Sequence, residues 1–479
     1  MENKKMKIIS IASIIALALT LVTATYAYFM AQTGEGKSTD IKINANTIDT
    51  FTFEAGSALN LNLNQDNFAS GKGNQTGTTF AKAMLTANNK TNTATEHYYM
   101  YLNISNNTFT YSIDNNTPEI LLSIKDSSNN EITTLTGLTY KTVTDGKGAS
   151  IKGFDITNKK GLVTILNNRE ITTTSTKTEE WNVTVIFVNY NSNQAGNAGK
   201  NFSAKLMIQK EEYKQTLVEY VKSQYTGTQG ENGIYYHNSA LTNGAGDNSY
   251  RYAGASDSVN NYICLGSDEA TCPDANLFRI IGVFGDKTKV IRAKSVGDQK
   301  WDTNGSNTWS TSSLNTYLNG TYLTSLGTLA DKIATTTWKV GGNTSANISG
   351  VVPKTAYQYE VGSSASSTTV DKKIGLMYVS DYYYSASPSA WTLVGYNSSD
   401  ATKDYRAATS TNWLYLSSFE WTISRLSDDT FNAFAVYNTG RVNNNFVTNS
   451  NAVRPSFNLE SSVKYVSGSG SMSDPIRIN

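Results

Sequence analysis

The chain has 479 residues, and its 40 Lys and Arg side chains nearly balance its 39 Asp and Glu side chains. A chain so close to neutral has no basic field for holding nucleic acid, and its length allows two or three domains with cores of their own. Two histidines and two cysteines occur in the sequence. A structural zinc site takes about four such ligands, so all four of these residues would have to meet at one point. We therefore expect no metal site, and we also expect no cofactor.

The N-terminus carries an export pattern. Three lysines precede an apolar run over 8–22, and small residues then occupy the positions three and one before a cleavage point. This predicts a signal peptide over 1–27, cut between Ala27 and Tyr28. The apolar stretch is also long enough to span a bilayer as an uncleaved anchor. In both cases the rest of the chain lies outside, extracellular or at the cell surface. The membrane is contacted only through this segment, and only if it stays uncleaved.

Residues 39–210 show apolar side chains at alternate positions, which is the pattern of half-buried strands. Asn, Gly and Thr separate these stretches, and no helical period intervenes. We therefore predict an antiparallel β-sandwich, jelly-roll or Ig-like, for the domain 28–210. The polar segment 191–199 predicts a hairpin loop between the last two strands. The predicted core faces are Leu59, Leu61 and Leu63; Tyr98, Met100, Leu102 and Ile104; Ile120, Leu122 and Ile124; Trp181, Val183, Val185 and Phe187; and Phe202, Ala204, Leu206 and Ile208.

The period changes over 211–250. Tyr213, Leu217, Val221 and Tyr225 recur at helical spacing, and Gly- and Asn-rich sequence follows. We predict a helical connector and a loop here.

Residues 251–479 mix both periods without a regular alternation of strand and helix, so we predict an α+β domain. A hairpin is expected around the turn 285–287. One helix is expected over 310–318, ended by Asn319-Gly320, and a second short helix around 329–333. Later strands are expected at 374–379, 434–437 and 453–459.

The two cysteines, Cys264 and Cys272, are separated by a turn-rich segment. In an oxidising compartment so close a pair predicts a disulfide. Two reduced thiols are the alternative.

The N-terminal segment around Ala24–Phe29 resembles the signal-peptide end of the TasA/camelysin type of exported Gram-positive proteins. That resemblance implies cleavage by a dedicated signal peptidase, a jelly-roll domain and, as in some members, assembly into biofilm-matrix fibres. Family members often have an acidic residue soon after the aromatic one, whereas Met30-Ala31 follows here. The departure concerns the processing enzyme more than export.

An ordered set of motifs over about 250–479 resembles an uncharacterised domain common in exported proteins of low-GC Gram-positive bacteria. That domain is similar to the C-type-lectin-like superfamily, including fibrobacter-type surface domains. The Glu-Pro-Asn and Trp-Asn-Asp signatures of calcium-dependent sugar binding are absent. The motifs are Asn261–Cys264, Asn276–Gly282, Trp309-Ser310, Tyr317–Asn319, Asn412–Leu414, Asn432–Val436, Gly440–Val442, Val453–Leu459, Gly468–Gly470 and Asp474-Pro475.

No catalytic constellation stands out. His97 and His237 have no spacing suited to a metalloprotease, and we expect both at the surface. Oxygen-bearing side chains at 298, 302, 304 and 307 predict a polar loop, with calcium as the weaker alternative. The aromatic-rich segment 378–413 offers either an exposed stacking surface or ordinary core residues. Arg441 and Arg454 are candidate anion ligands, although the resemblance implies pairing inside the fold.

These observations predict a non-enzymatic, exported structural or adhesive protein of the cell surface or matrix. Self-assembly, or a surface glycan or protein, is the expected partner, and nucleic acid is not. A secreted glycan-binding protein acting through the C-terminal domain is the alternative, and an extracellular hydrolase is a weaker one.

Overall fold

The computed structural model describes residues 49–64, 71–88, 92–396 and 399–479. The chain divides after Tyr213 into two compact units, here called unit 1 and unit 2. The predicted cleavage between Ala27 and Tyr28 lies outside the described residues. Within the described part, no helix combines the length and the apolar character that a membrane crossing requires.

Unit 1 is built from strands, as the alternating pattern predicts. Its described strands form an antiparallel sheet of six, in the order β1-β3-β9-β5-β7-β6, and another of four, in the order β2-β10-β4-β8. The strands are β1 Thr50–Ala55, β2 Leu59–Asn62, β3 Gln75–Thr86, β4 Ala94–Asn107, β5 Ile120–Asp126, β6 Tyr140–Thr144, β7 Ser150–Asp155, β8 Gly161–Thr173, β9 Thr176–Phe187 and β10 Asn201–Gln209.

The two sheets of unit 1 share one hydrophobic core. All of the side chains predicted to face inward in this domain are buried, and they belong to a single cluster that draws on both sheets. Polar groups in this core are joined by hydrogen bonds. The Trp181 indole N–H donates to the Tyr98 hydroxyl (2.9 Å), which donates to the Glu179 carboxylate (2.6 Å). Each of these three polar groups therefore has a partner, as most buried polar groups do.

The segment 191–199 is not the predicted hairpin. It leaves β9 in the six-stranded sheet and enters β10 in the four-stranded sheet, and it contains a short 3₁₀ turn, Ala195–Asn197. It is a crossover between sheets, because the alternation that identifies two strands does not say which strands pair.

Unit 2 contains both sheets and short helices. Its described residues form a nine-stranded mixed sheet, a five-stranded sheet in the order β16-β23-β20-β21-β22, and the pair β17-β18. The strands are β11 Ile234–Tyr236, β12 Tyr250–Tyr252, β13 Tyr262–Cys264, β14 Leu277–Phe284, β15 Lys287–Arg292, β16 Asp298–Lys300, β17 Thr336–Lys339, β18 Thr369–Lys372, β19 Ile374–Gly375, β20 Glu420–Arg425, β21 Asn432–Val436, β22 Val442–Phe446, β23 Ser450–Ala452, β24 Ser456–Leu459, β25 Tyr465–Ser467 and β26 Ile476–Ile478.

The strand order in the large sheet of unit 2 is β19-β24-β15-β14-β13-β26-β25. In addition, β12 pairs with both β11 and β14. The parallel pair β13-β26 brings the last strand beside the first cysteine. The α-helices are Leu217–Ser223, Ser313–Tyr317, Leu323–Ser325, Ser345–Ile348, Pro353–Glu360 and Val379–Tyr384, and the described 3₁₀ segments are Glu231–Gly233, Trp309–Thr311, Gly327–Lys332, Pro388–Ala390, Ala401–Lys403 and Tyr405–Thr411.

The helix predicted from Tyr213 begins at Leu217. The Thr216 hydroxyl accepts a hydrogen bond from the Glu219 backbone N–H, and the Glu219 carboxylate accepts one from the Thr216 N–H. This capping box fixes the first turn. The local cap, rather than the periodic aromatic residues before it, therefore sets the start of the helix.

Two predicted boundaries in unit 2 are wrong. Asn319-Gly320 does not end a helix, since a π-helical turn, Leu318–Tyr322, continues into Leu323–Ser325. Asn319 instead bonds the backbone of Ile374 through both ends of its amide. The predicted strand 374–379 ends at Gly375, and the helix Val379–Tyr384 follows.

Candidate binding cleft beside the disulfide loop

The predicted disulfide between Cys264 and Cys272 is present. Cys264 ends β13, so the bridge closes a short loop at the end of an interior strand of the large sheet. The backbone turns sharply here, with Gly266 at a φ of 72°. We call residues 264–272 the disulfide loop.

Arg477 holds the disulfide loop in place. Its guanidinium donates to three backbone carbonyls of the loop: Ser267 (2.9 Å), Glu269 (2.7 Å) and Ala270 (3.2 Å). A tight loop leaves carbonyls without ladder partners, and the five-donor fork of arginine satisfies several at once. The parallel pairing of β13 with β26 places Arg477 within reach. Sequence reasoning missed this residue, because 205 positions of chain separate it from the second cysteine.

An open cleft of about 550 Å³ lies against the disulfide loop. Its lining residues include the acidic Asp268 and Glu269, the basic Lys332 and Arg477, and the apolar Leu329. Among the described residues, neither carboxylate nor the ammonium takes part in an ion pair. Unpaired charges of both signs beside an apolar wall suit a polar ligand that itself carries both charges.

His237 is not at the surface, contrary to prediction. Its side chain is 0 % exposed, and its ring lies 4.8 Å from that of Tyr384 and 5.1 Å from that of Trp391. Its Nδ1 accepts a hydrogen bond from the Ala245 N–H (3.1 Å), so the ring is neutral with its proton on Nε2. Burial, reinforced by the nearby charge of Arg251, lowers the pKa of His237 well below its ordinary value. The other histidine, His97, is partly exposed in β4, as expected.

Several ion pairs in unit 2 have at least one buried partner. Arg251 meets Asp247 at 2.6 Å, Lys289 meets Asp381, and Arg454 grips both carboxylate oxygens of Glu420. Burial alone would raise the pKa of Asp247, but Arg251 and the Ser249 hydrogen bonds outweigh it and lower that pKa to about 2. The pairing of Arg454 inside the fold agrees with the prediction.

Removing one partner of such a pair strands a charge in the core. These charged groups therefore stabilise the fold and are not available to bind a ligand. The signal that could have found them is a charged residue inside an apolar run, as at Glu420 between Phe419 and Trp421.

The aromatic-rich segment 378–413 does not form an exposed stacking surface. Apart from the half-buried Tyr396, its tyrosines and tryptophans are buried, and two of their polar tips bond to backbone carbonyls: the Tyr382 hydroxyl donates to Gly440 (2.8 Å) and the Trp413 indole N–H to Tyr252 (2.8 Å). The buried members are Tyr378, Tyr382, Tyr383, Tyr384, Trp391, Tyr405 and Trp413. They are core residues of unit 2.

Two side chains of the predicted polar loop, Asp302 and Asn307, are buried and hydrogen-bonded within the protein. The Asp302 carboxylate accepts hydrogen bonds from three backbone N–H groups, and the Asn307 amide donates to three backbone carbonyls. These bonds support the polar-loop interpretation over calcium. In the part of the chain that the structure describes, no cluster of three or more His, Cys, Asp or Glu side chains is arranged to hold a metal ion.

Residues 285–461 match the model of a domain of unknown function, DUF6273. The match begins in the turn after β14 and ends just beyond β24, so it covers most of unit 2 but neither the disulfide loop nor Arg477. No curated protein and no solved structure matches the chain.

Proposed function

We propose that this chain is an exported structural or adhesive protein of the cell surface or extracellular matrix, without enzymatic activity. The observation that carries the proposal is the disulfide that forms one wall of an open cleft. Disulfides persist in oxidising compartments, which agrees with the export pattern at the N-terminus. The unpaired charges of the cleft supply a surface for recognition.

Unit 1, in this proposal, is a β-sandwich of the jelly-roll or Ig-like kind and related to the TasA/camelysin type. Two antiparallel sheets that share one core support this assignment. Unit 2 is a C-type-lectin-like recognition domain, supported by its mixed sheets, short helices and long connections. The match over 285–461 is compatible with a separate domain here.

Assembly takes place, in this proposal, at the edge of the six-stranded sheet. β1 pairs with β3, and among the described residues no strand covers its other side. A strand added there gains main-chain hydrogen bonds along its length. The segment from Tyr28 to about residue 46, freed by signal cleavage and carrying Ile41 and Ile43 at strand spacing, is the proposed donor to a neighbouring copy. Pairing of this segment within its own domain is the competing arrangement.

Electron microscopy and light scattering of the mature chain 28–479 test this. We expect filaments for the mature chain and monomers for a variant lacking 28–38. The control is the uncleaved chain, which retains the segment but tethers it. A mature chain that stays monomeric at high concentration, with the deletion changing nothing, contradicts assembly.

A secreted glycan-binding protein acting through unit 2 is the second candidate. The open cleft of about 550 Å³ favours it, because ligand sites are concave. A mature chain that binds glycans while remaining monomeric would select this function over the structural one.

A further inference from the structure

The hairpin between β21 and β22 presents a rigid turn, residues 437–441. The Tyr437 N–H donates to the Arg441 carbonyl (2.8 Å), and Gly440 sits at a φ of 87°, a conformation that favours glycine. A Cβ on Gly440 would meet the Thr409 side chain at 2.2 Å. The buried Tyr382 hydroxyl donates to the Gly440 carbonyl (2.8 Å). This hydrogen bond attaches the turn to the core of unit 2.

Arg441 lies among aromatic rings at this turn. Its guanidinium carbon is 5.0 Å from the ring centroid of Tyr437 and 5.9 Å from that of Tyr396. The Tyr437 ring is in turn 4.6 Å from that of Phe419, which is 37 % exposed. A hydrogen bond from the Val442 N–H to the Gly395 carbonyl (2.8 Å) holds the Tyr396 segment beside the hairpin. We call Tyr396, Phe419, Tyr437 and Arg441 the arginine–aromatic patch.

Arg441 has no acidic partner in the described chain. It differs in this from Arg251, Arg454 and Arg406, each of which meets a carboxylate. Its Nε is buried with no hydrogen-bond partner among the described residues. A guanidinium without an acidic partner of its own is available to pair with an anionic ligand.

We infer that the arginine–aromatic patch binds a carboxylated saccharide. A guanidinium grips a carboxylate through two parallel N–H···O bonds, and flat aromatic faces pack against the C–H faces of a sugar ring. A uronic-acid residue offers both features within one ring. A free phosphate ion would use the cation but leave the rings without a role.

The inference deepens the adhesive part of the proposed function and rests on it. The disulfide-loop cleft is a separate surface, because none of its lining residues belongs to the patch.

Calorimetric titration of the purified full-length protein with oligogalacturonate tests the inference. We expect saturable binding that weakens at least tenfold in Arg441→Gln. Arg441→Lys, which keeps the charge but loses the fork, should weaken it severalfold, as should Phe419→Ser. Neutral galactan and inorganic phosphate should neither bind nor compete at equal concentration.

Two matched controls accompany these variants. Phe446→Ser removes a phenylalanine that is 59 % exposed on the same sheet, and Lys294→Gln removes an exposed cation elsewhere in unit 2. Both should bind like the wild type. The inference is overturned if Arg441→Gln and Arg441→Lys, folded by near-ultraviolet circular dichroism, bind as tightly as the wild type. It is also overturned if neutral galactan or a sulfated dextran binds as well as oligogalacturonate. Neither result bears on export or filament formation, which are measured separately.

Discussion

Acid should destabilise unit 2 through His237. The folded state disfavours a proton on this ring, because the ring is buried, Arg251 is near, and Nδ1 already accepts from Ala245. The unfolded chain takes the proton with an ordinary pKa of about 6.5. Stability is therefore fully present above that pH and falls as the pH drops below it, until the folded-state pKa is reached.

The magnitude follows from proton linkage. While His237 stays neutral in the fold, each pH unit below about 6.5 costs about 1.4 kcal/mol of unfolding free energy. Between pH 6.5 and 5 the loss is about 2 kcal/mol. Burial raises the pKa values of Glu360 and Glu420. Since the folded state binds these protons more readily than the unfolded chain does, both groups favour folding as the pH falls, opposite to His237. The pKa of Asp247 is lowered to about 2, so its contribution to the unfolding free energy is lost only as the pH falls below about 4. That lies outside the range between pH 6.5 and 5.

A His237→Asn variant isolates the histidine. Its amide oxygen can accept from the Ala245 N–H, but the side chain does not titrate. The variant should be less stable at neutral pH, since it leaves unfilled space in the core. Urea unfolding of both proteins at several pH values gives the difference in unfolding free energy. We expect that difference to shrink by about 2 kcal/mol between pH 6.5 and 5. A difference that stays constant across this range would refute the neutral, buried assignment of His237.

Three further predictions concern unit 2. Cys272→Ser should lower the unfolding free energy by about 2–3 kcal/mol from loop entropy, and equal stability with and without reductant in the wild type would contradict this. Arg454→Met should lower the unfolding free energy by about 3–5 kcal/mol, because it leaves the buried Glu420 carboxylate without a partner. Adding Glu420→Leu should recover much of that loss. If denaturant titration shows no recovery, the unpaired carboxylate is not the cause. Arg477→Gln should make the disulfide loop more susceptible to proteolysis while thermal unfolding changes little, and unchanged cleavage kinetics would argue against its role as a clamp.

The core of unit 1 could be predicted because a period of two is a local signal. Leu61 and Phe202, for example, each lie between two polar neighbours, and burial follows directly from that alternation. Which strands pair is a non-local property, so the same reasoning mistook the crossover at 191–199 for a hairpin.

Unit 2 resisted prediction because its decisive contacts join distant positions. The capping of the helix at Val379 depends on Glu360, whose carboxylate accepts from the N–H groups of Val379 and Ser380. His237 follows two tyrosines in a polar stretch and gives no local sign of burial; it is enclosed by Tyr384 and Trp391, more than a hundred positions away. The disulfide was predictable from spacing and compartment, but the Arg477 clamp and the cleft beside it required the parallel pairing of β13 with β26.

In the proposed function the protein works outside the cell with its disulfide formed. Intact-mass spectrometry of the endogenous protein, recovered from washed cell surfaces and culture medium and analysed with and without alkylation, tests it most directly. We predict a chain that begins at Tyr28 and gains no alkyl groups until it is reduced. A chain that is found inside the cell, begins at Met1 and carries two alkylated cysteines without reduction would contradict the account.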